Sequence, residues 1–350
     1  MNQGIAKFLV AQSSLPAKKK NPIFKALMCP LSLIFRVTVR VRNFFYDVGL
    51  FPQKELPGLV VSVGNIHAGG VGKTPFVIGL CAELDRRGSR AAVLTRGYRH
   101  RLKGDPFAVL MAGKFIHGDG FAGDEAMELS LALPQVPIVI GANRFEAAMK
   151  AKSILPEVQA VTHWIMDDGF QHRKLWRDVD VVLLPADRDL DEDRLMPLGT
   201  LREQPASLSR AGVVALIGER AAGAARVTTM VETKSFTKRI TDLKCVSGAP
   251  CSAQELKNDS VAVCGLGNAK QFFDGLKNFG VNPKQTFSFT DHHEFSHADF
   301  SVLPKNVRCL ITTRKDFLRS PDVFKSLTCG VYVAELTIEG PFDQILAKLQ

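Results

Sequence analysis

The sequence predicts an α/β protein in which a mostly parallel sheet carries helices on both faces, and three observations predict it. An apolar β-type run (Leu59, Val60, Val61, Val63) leads into a glycine-rich turn and then a helical segment. Strand-like and helical runs alternate downstream, the pattern of parallel strands joined by crossover helices. The alternation breaks near residues 221–250 and then restarts, which divides the 350 residues into two α/β units. A chain of this length exceeds one ordinary core.

The elements follow in order. Residues 1–50 form a basic N-terminal arm: positions 1–46 hold Lys7, Lys18, Lys19, Lys20, Lys25, Arg36, Arg40 and Arg42 and no acidic residue, so much of the net charge of +10 sits here. Such an arm suits a polyanion. From Leu31 onward it is also apolar, with Leu31, Ile34, Phe35, Val41, Phe45 and Val48 near one helical face and Arg36, Arg40, Asn43 and Asp47 on another. Two readings stand, a basic amphipathic helix lying at an anionic membrane surface and a helix packed on its own domain. A nucleic-acid arm would be more polar, so no nucleic-acid partner is expected. Leu27–Phe35 is short and contains Pro30, so no run of about 20 residues is expected to span a bilayer, and no signal peptide is read.

Residues 51–225 read as the nucleotide-binding domain. A helix is expected over Thr74–Arg87, stopped by Gly88, and another over Arg144–Ile154. Strands are expected at Ala91–Thr95, Pro137–Gly141, His163–Met166, Val179–Leu184 and Val213–Ile217. Residues 226–250 read as a two-stranded β hinge, from the Thr-, Val- and Lys-rich runs Arg226–Glu232 and Lys234–Thr241. Residues 251–350 form the second, smaller α/β domain. Its expected strands are Ser260–Cys264, Gln285–Phe289, Cys309–Thr313 and Val331–Ile338. Its expected helices are Ala269–Phe279, His297–Leu303 and Pro341–Leu349. Hydrophobic residues at 46% and charged residues at 23% are those of an ordinary globular protein. The seven cysteines are scattered and form no C-x-x-C pair, so neither a disulfide framework nor a zinc site is expected, and a reducing compartment fits.

The chemistry begins at Gly69-Gly70-Val71-Gly72-Lys73-Thr74-Pro75. Glycines let backbone N–H groups curl around phosphate oxygens, and a following helix N-terminus adds positive potential. Lys73 then reaches the β/γ-phosphates and Thr74 a Mg²⁺ ion. This is a P-loop, and it makes the sheet that of a P-loop NTPase-type fold. His67 stands where the G-x-x-x-x-G-K-[ST] pattern has its first glycine. Asp167 and Asp168 end an apolar strand, which beside a P-loop suits a Walker-B role. Gly123-Asp124-Glu125 precedes an amphipathic stretch, and spacing alone favours a helix cap over a carboxylate that accepts a hydroxyl proton. Arg202 and Glu203 lie in a turn-rich loop, open to phosphate and metal contacts or to a loop ion pair. Asp291-His292-His293-Glu294 reads as a polar loop, a metal pair or a proton relay across a domain cleft.

Together these segments resemble the tetraacyldisaccharide 4′-kinase family of lipid A biosynthesis. The resemblance rests on Val63-Gly64-Asn65 leading into the P-loop, on Thr95-Arg96-Gly97-Tyr98, Gly123-Asp124-Glu125 and Gly141-Ala142-Asn143-Arg144, and on Asp167-Asp168-Gly169-Phe170-Gln171-His172 and Leu201-Arg202-Glu203. It continues through Gly265-Leu266-Gly267-Asn268, Asp291-His292-His293 and Thr313-Arg314-Lys315-Asp316. It implies a membrane-surface kinase on the cytoplasmic face of the inner membrane of a Gram-negative-type bacterium. That kinase would use ATP and Mg²⁺ to phosphorylate the 4′-hydroxyl of lipid A disaccharide 1-phosphate. Carried over, Lys73 and Thr74 bind phosphates and Mg²⁺, and Asp124 is the base, paired with His292. Asp167 and Asp168 fill the Walker-B position, with Asp168 and Glu203 as metal ligands. Arg144, Gln171 and Arg202 line the site. His67, Thr95, Arg99 and Arg314 depart from the family pattern. No obligate protein partner is expected. The rival reading is a P-loop GTPase or metallochaperone-like ATPase switch acting on a protein. It would carry a base-specificity motif such as N-K-x-D, which the chain lacks.

Overall fold

The computed structural model describes residues 21–97, 100–187, 190, 193–218, 231–291, 293–304 and 307–349. A long helix, α1 (Pro22–Asp47), comes first, opened by Asn21, whose side chain accepts the Ile23 N–H. The P-loop half follows as β1 (Leu59–Gly64), α2 (Lys73–Arg86), β2 (Ala91–Thr95), β3 (Arg101–Lys103), β4 (Phe107–Met111), β5 (Lys114–His117) and β6 (Asp119–Phe121). It continues with α3 (Asp124–Ala132), β7 (Ile138–Gly141), α4 (Arg144–Ile154), α5 (Pro156–Gln159), β8 (His163–Asp167), β9 (Val179–Pro185) and β10 (Val213–Ile217). The remainder comprises β11 (Thr233–Ser247), α6 (Ala253–Asn258), β12 (Val261–Cys264), α7 (Ala269–Asn278), β13 (Gln285–Ser288), β14 (Cys309–Thr313), α8 (Arg314–Arg319), α9 (Pro321–Lys325), β15 (Gly330–Glu339) and α10 (Phe342–Leu346).

The strands join in one 13-stranded sheet, ordered β13-β12-β14-β15-β11-β10-β9-β1-β8-β2-β7-β4-β5. From β11 to β7 neighbouring strands run parallel, and β4 and β5 add an antiparallel edge. The strands around β1 are buried on both faces and read as continuous apolar runs, as parallel sheets require. The meander over residues 101–121 has no counterpart in the sequence expectation.

The hinge differs from its expectation in detail. Its first expected strand, Arg226–Glu232, lies mostly outside the described residues, and Val231 and Glu232 are not in a strand. The second is longer than expected: β11 pairs parallel with β10 through Phe236 and then antiparallel with β15 from Thr237 onward. The two strands that pair across the hinge are therefore β11 and β15, about a hundred residues apart in sequence. The C-terminal segment packs back on the P-loop half. Phe342, Ile345 and Leu346 share a core with Val63, Phe76 and Leu80, and the Phe76, Phe236 and Phe342 rings meet at about 5 Å.

Helix α1 also corrects an expectation. Pro30 sits inside the helix without ending it, and the continuous 26 residues are long and apolar enough to cross a membrane by length and composition. At 1.5 Å per residue it is about 39 Å long. One stripe packs on the domain, with Phe24 buried, Phe35 against the Ile66–Phe170–Leu195 cluster and Ser32 Oγ donating to the Leu195 carbonyl at 2.9 Å. Ile23, Leu27, Leu31, Leu33, Ile34, Val37 and Val41 stay exposed. The packed-helix reading of the arm holds for one stripe, and the other stripe is an exposed apolar face.

The cysteines depart from expectation as well. Cys251 and Cys309, with Cα atoms 6.3 Å apart, form a disulfide. It depends on the chain before α6 lying beside the start of β14, a proximity that sequence spacing does not reveal.

Candidate active site

Parallel pairing builds the site. The register of β1 against β8 sets Val63 level with Asp167, so the P-loop and the two aspartates leave neighbouring strands at the same end of the sheet. The Gly169 N–H donates to the Val63 carbonyl, which ties the two turns together. A Cβ on Gly64 would lie 2.6 Å from Phe170 Cβ and 2.7 Å from its backbone N. Backbone cannot yield as a side-chain tip can, so Gly64→Ala is expected to destabilise the fold by roughly 1–3 kcal/mol. A urea or thermal melt checks this, and an unchanged midpoint would contradict the close approach.

The loop turns at Gly69 and Gly72, with φ of 126° and 101°, and α2 starts directly at Lys73. Gly70 follows Gly69, Val71 is buried, and Thr74 and Pro75 occupy the first turn of α2. The hinge strands press on this loop: a Cβ on Gly72 would meet Ile338 Cδ1 at 3.1 Å and Lys238 Cδ at 3.8 Å. His67 is buried, and its backbone bridges to Leu201. With Ala68 N–H donating to Thr200 O and Arg202 N–H to Ile66 O, this seats the Arg202–Glu203 loop against the P-loop.

Three cationic groups converge on the aspartates. Lys73 Nζ lies 3.4 Å from Asp168 Oδ1, and Arg202 Nη1 donates to both Asp168 oxygens at 2.9 Å. Arg144, itself buried, donates to the Asp167 carbonyl at 2.9 Å. Asp168 holds φ at 49°, a conformation rare for a residue with a side chain, and such strain concentrates at functional turns. Burial alone would raise the Asp168 carboxyl, but Lys73 and Arg202 outweigh it and hold it below the ordinary range. Asp167 goes the other way: burial, then the negative charges of Glu125 and Asp168, push it up to about 7. Gln171 Nε2 donates to the Asn65 carbonyl, and burial with nearby Arg144 pushes His172 down to about 3, so its imidazole is neutral.

The remaining expected ligands differ in their surroundings. Asp168, an expected metal ligand, turns both oxygens to Arg202 and one to Lys73. Glu203 is 1% exposed, and its Oε2 accepts from Asn43 Nδ2 at 2.7 Å and Arg210 Nη2 at 2.9 Å. Among the described residues, Glu203 Oε1 and Asp167 Oδ1 are buried without a hydrogen-bond donor, although Arg42 Nη2 stands 3.9 Å from the former. No group of three or more His, Cys, Asp or Glu converges among the described residues. A magnesium ion does not require one, since it keeps waters and phosphate oxygens and takes only one or two carboxylates. Two buried, open carboxylate oxygens on turns tied to the segment that leads into the P-loop fit that ion.

Asp124 opens α3, where an acidic side chain complements the helix dipole. Its Oδ2 accepts from Arg319 Nε at 2.9 Å. Glu125 pairs with Lys315 at 3.1 Å, which draws its carboxyl down. Burial alone would lower the Lys315 ammonium, but Glu125 and Glu128 carry it above its ordinary range. These two ion pairs join the halves of the molecule. The Thr313-Arg314-Lys315-Asp316 block accounts for one side of them: Thr313 caps α8, and the buried Asp316 accepts from Thr313 Oγ1 and the Gly265 N–H. That bond links the block to the Gly265–Asn268 turn. His292 lies outside the described residues. His293 stays within its own half, stacked on Phe289 and 3.1 Å from Asp299. Arg319 and Asn43 are functional neighbours that sequence reasoning misses. Lys315 and Arg319 stand four apart on one helix face, and that spacing is the available signal.

Comparison with known proteins identifies the family. The family model for tetraacyldisaccharide-1-P 4′-kinase matches residues 24–350. The tetraacyldisaccharide 4′-kinase of Halothermothrix orenii is 32% identical over 354 residues, covering 91% of each chain. That of Aquifex aeolicus is 34% identical over 302 residues, covering 85% of this chain and 90% of the relative. A crystal structure of "apo" form LpxK from Aquifex aeolicus in complex with ATP superposes with a TM-score of 0.73 at 30% identity, covering 93% of this chain and 98% of that one. This chain belongs to the tetraacyldisaccharide-1-P 4′-kinase family.

Proposed function

We propose that this chain transfers the γ-phosphate of ATP to the 4′-hydroxyl of lipid A disaccharide 1-phosphate. The observation that carries the reading is the convergence of Lys73 and Arg202 on Asp168 at the mouth of a P-loop. Phosphoryl transfer needs alignment and charge neutralisation more than covalent help. Lys73 and Arg202 are the cations placed to take over the phosphate charge, with Asp168 holding both in position until nucleotide arrives. Arg144 fixes the turn that carries Asp168. Thr74, Asp167 and Glu203 would hold Mg²⁺, which when bound spreads the charge of the transferring phosphoryl group. Asp124 accepts the sugar hydroxyl proton, with His292 from the second half as its partner. Arg319 occupies Asp124 in this structure, so a shift of α8 relative to α3 accompanies substrate entry.

The exposed apolar face of α1, together with the basic arm before it, supports seating at an anionic membrane surface. We place that surface at the cytoplasmic face of the inner membrane of a Gram-negative-type bacterium. The switch of β11 from parallel to antiparallel pairing supports a P-loop domain over 51–225, a hinge over 226–250 and a second domain over 251–350. The test is direct: purified chain, labelled ATP, Mg²⁺ and lipid A disaccharide 1-phosphate in detergent micelles. Label on the lipid is the expected result. GTP hydrolysis with no labelled lipid would replace this reading with the switch-protein alternative.

A further inference from the structure

The last turn of α1 belongs to the wall of the site. Asn43 Nδ2 donates to Glu203 Oε2 across 160 residues of sequence, and Asn43 Oδ1 in turn accepts from Arg42 Nη2 at 3.1 Å. The Asn43 carbonyl accepts from Arg173 Nη1 at 3.0 Å, and Arg173 also pairs with Asp47 at 2.8 Å. One residue thereby joins the helix to both active-site loops: by its side chain to Leu201-Arg202-Glu203, and by its backbone to the chain just after Asp167–His172. Glu203 is a buried carboxylate with an open oxygen, and Arg202 beside it grips Asp168. A buried carboxylate turns to face its donors, so the Asn43 amide and the Arg210 guanidinium decide where the open Oε1 points.

We propose that Asn43 is a positioning residue of the kinase centre. It aims Glu203 and its loop, so that α1 contributes a side chain to the surroundings of the phosphoryl-transfer site. The proposal rests on the kinase reading above for the identity of the reaction. It goes beyond that reading in giving the helix a part in catalysis that is separate from attachment. Outer partners of metal-holding side chains are worth about 10- to 100-fold in affinity or rate. Removing this one should therefore act on metal and turnover, not on lipid attachment.

The experiment compares Asn43→Ala, Asn43→Asp and Leu27→Ser, the last on the exposed face and away from the site. Mn²⁺ affinity is read by EPR in the presence of a non-hydrolysable ATP analogue. Turnover is measured on micellar acceptor, attachment by co-sedimentation with anionic vesicles, and folding by thermal melts. Asn43→Ala is expected to weaken Mn²⁺ binding and lower kcat by about tenfold or more, to raise the Mg²⁺ concentration for half-maximal rate, and to leave vesicle binding unchanged. Asn43→Asp, which sets one carboxylate against another, should be worse than Asn43→Ala while folding at a similar temperature. Leu27→Ser should weaken vesicle binding and leave Mn²⁺ affinity, read without any lipid, intact. Unchanged Mn²⁺ affinity in both Asn43 variants overturns the proposal, as does an equal loss of Mn²⁺ affinity in Leu27→Ser. The Mn²⁺ measurement needs no lipid acceptor, so wild-type chain that fails to label the lipid refutes the kinase reading without deciding the role of Asn43.

Discussion

Asp124→Ala is expected to lower kcat by about 10²- to 10⁴-fold while KM for ATP stays within a few-fold. A sugar hydroxyl is weakly acidic, so a carboxylate that takes its proton during transfer carries a large share of the rate. On the proposed reading the loop around Gly69–Thr74 holds the nucleotide, so ATP affinity should barely notice the change. Asp124 has a second task, because its Oδ2 receives Arg319, a guanidinium that is itself buried. Truncation strips that buried charge of a carboxylate partner and leaves more of it to Asp316 and the His293 carbonyl, which costs stability. Asp124→Asn keeps the shape and the helix start while removing the proton acceptor, and it separates the two effects. Steady-state kinetics with saturating acceptor, alongside thermal melts, read both. Wild-type turnover in a folded Asp124→Asn chain would remove Asp124 from the base role.

Asp167→Asn should produce a more stable protein and a poorer enzyme. Burial first, then Glu125 and Asp168, raises the Asp167 carboxyl from its ordinary 3.8 to about 7. The folded state thus holds this proton more tightly than the unfolded chain does. Its stabilising contribution is complete below pH 3.8 and is lost as pH rises through about 7, where an ionised carboxylate must be kept in an apolar setting. A neutral amide has no such loss. In nucleotide-free protein the advantage of the variant should be absent near pH 4, grow through pH 5 to 7 and level off above. Each tenfold tightening of the proton corresponds to roughly 1.4 kcal/mol, so the advantage reaches on the order of 4 kcal/mol. Kinase activity should fall because a neutral amide offers a bound cation no negative charge. Melts from pH 4 to pH 8.5 decide the matter, and equal midpoints at pH 8 would contradict the buried, raised carboxyl. A buried carboxyl that costs the fold stability is what a functional site is expected to carry.

Signals confined to short stretches of chain are legible in the sequence. The strands Ala91–Thr95, Val213–Ile217 and Cys309–Thr313 and the helix Arg144–Ile154 fall where periodicity places them. The P-loop and the Asp167–Asp168 turn are legible because each packs its chemistry into a few consecutive residues, and register alone brings them together. What escapes depends on partners distant in sequence. The antiparallel mate of β11 is β15, the carboxylate of Glu203 meets Asn43, and Asp124 meets Arg319. None of these leaves a local pattern. The meander over 101–121 escapes for another reason: strands of three to five residues with scattered glycines carry too little alternation to register. Pro30 misleads because a proline within an apolar helix can be accommodated, and a strict reading ends the helix there.

The return of the C-terminal segment to the P-loop half bears on how the protein is made. Phe342, Ile345 and Leu346 complete the apolar core around Phe76 and Leu80, and Ile338 of β15 belongs to the same core. A ribosome extrudes the P-loop well before these closing residues, at about 5–20 residues per second. For the intervening interval the helix behind the phosphate-binding loop lacks part of its packing. The unit that binds nucleotide therefore cannot mature ahead of the rest during synthesis. A chain lacking residues 338–346 would leave the phosphate-binding half with part of its apolar core open, so the two halves gain their stability together.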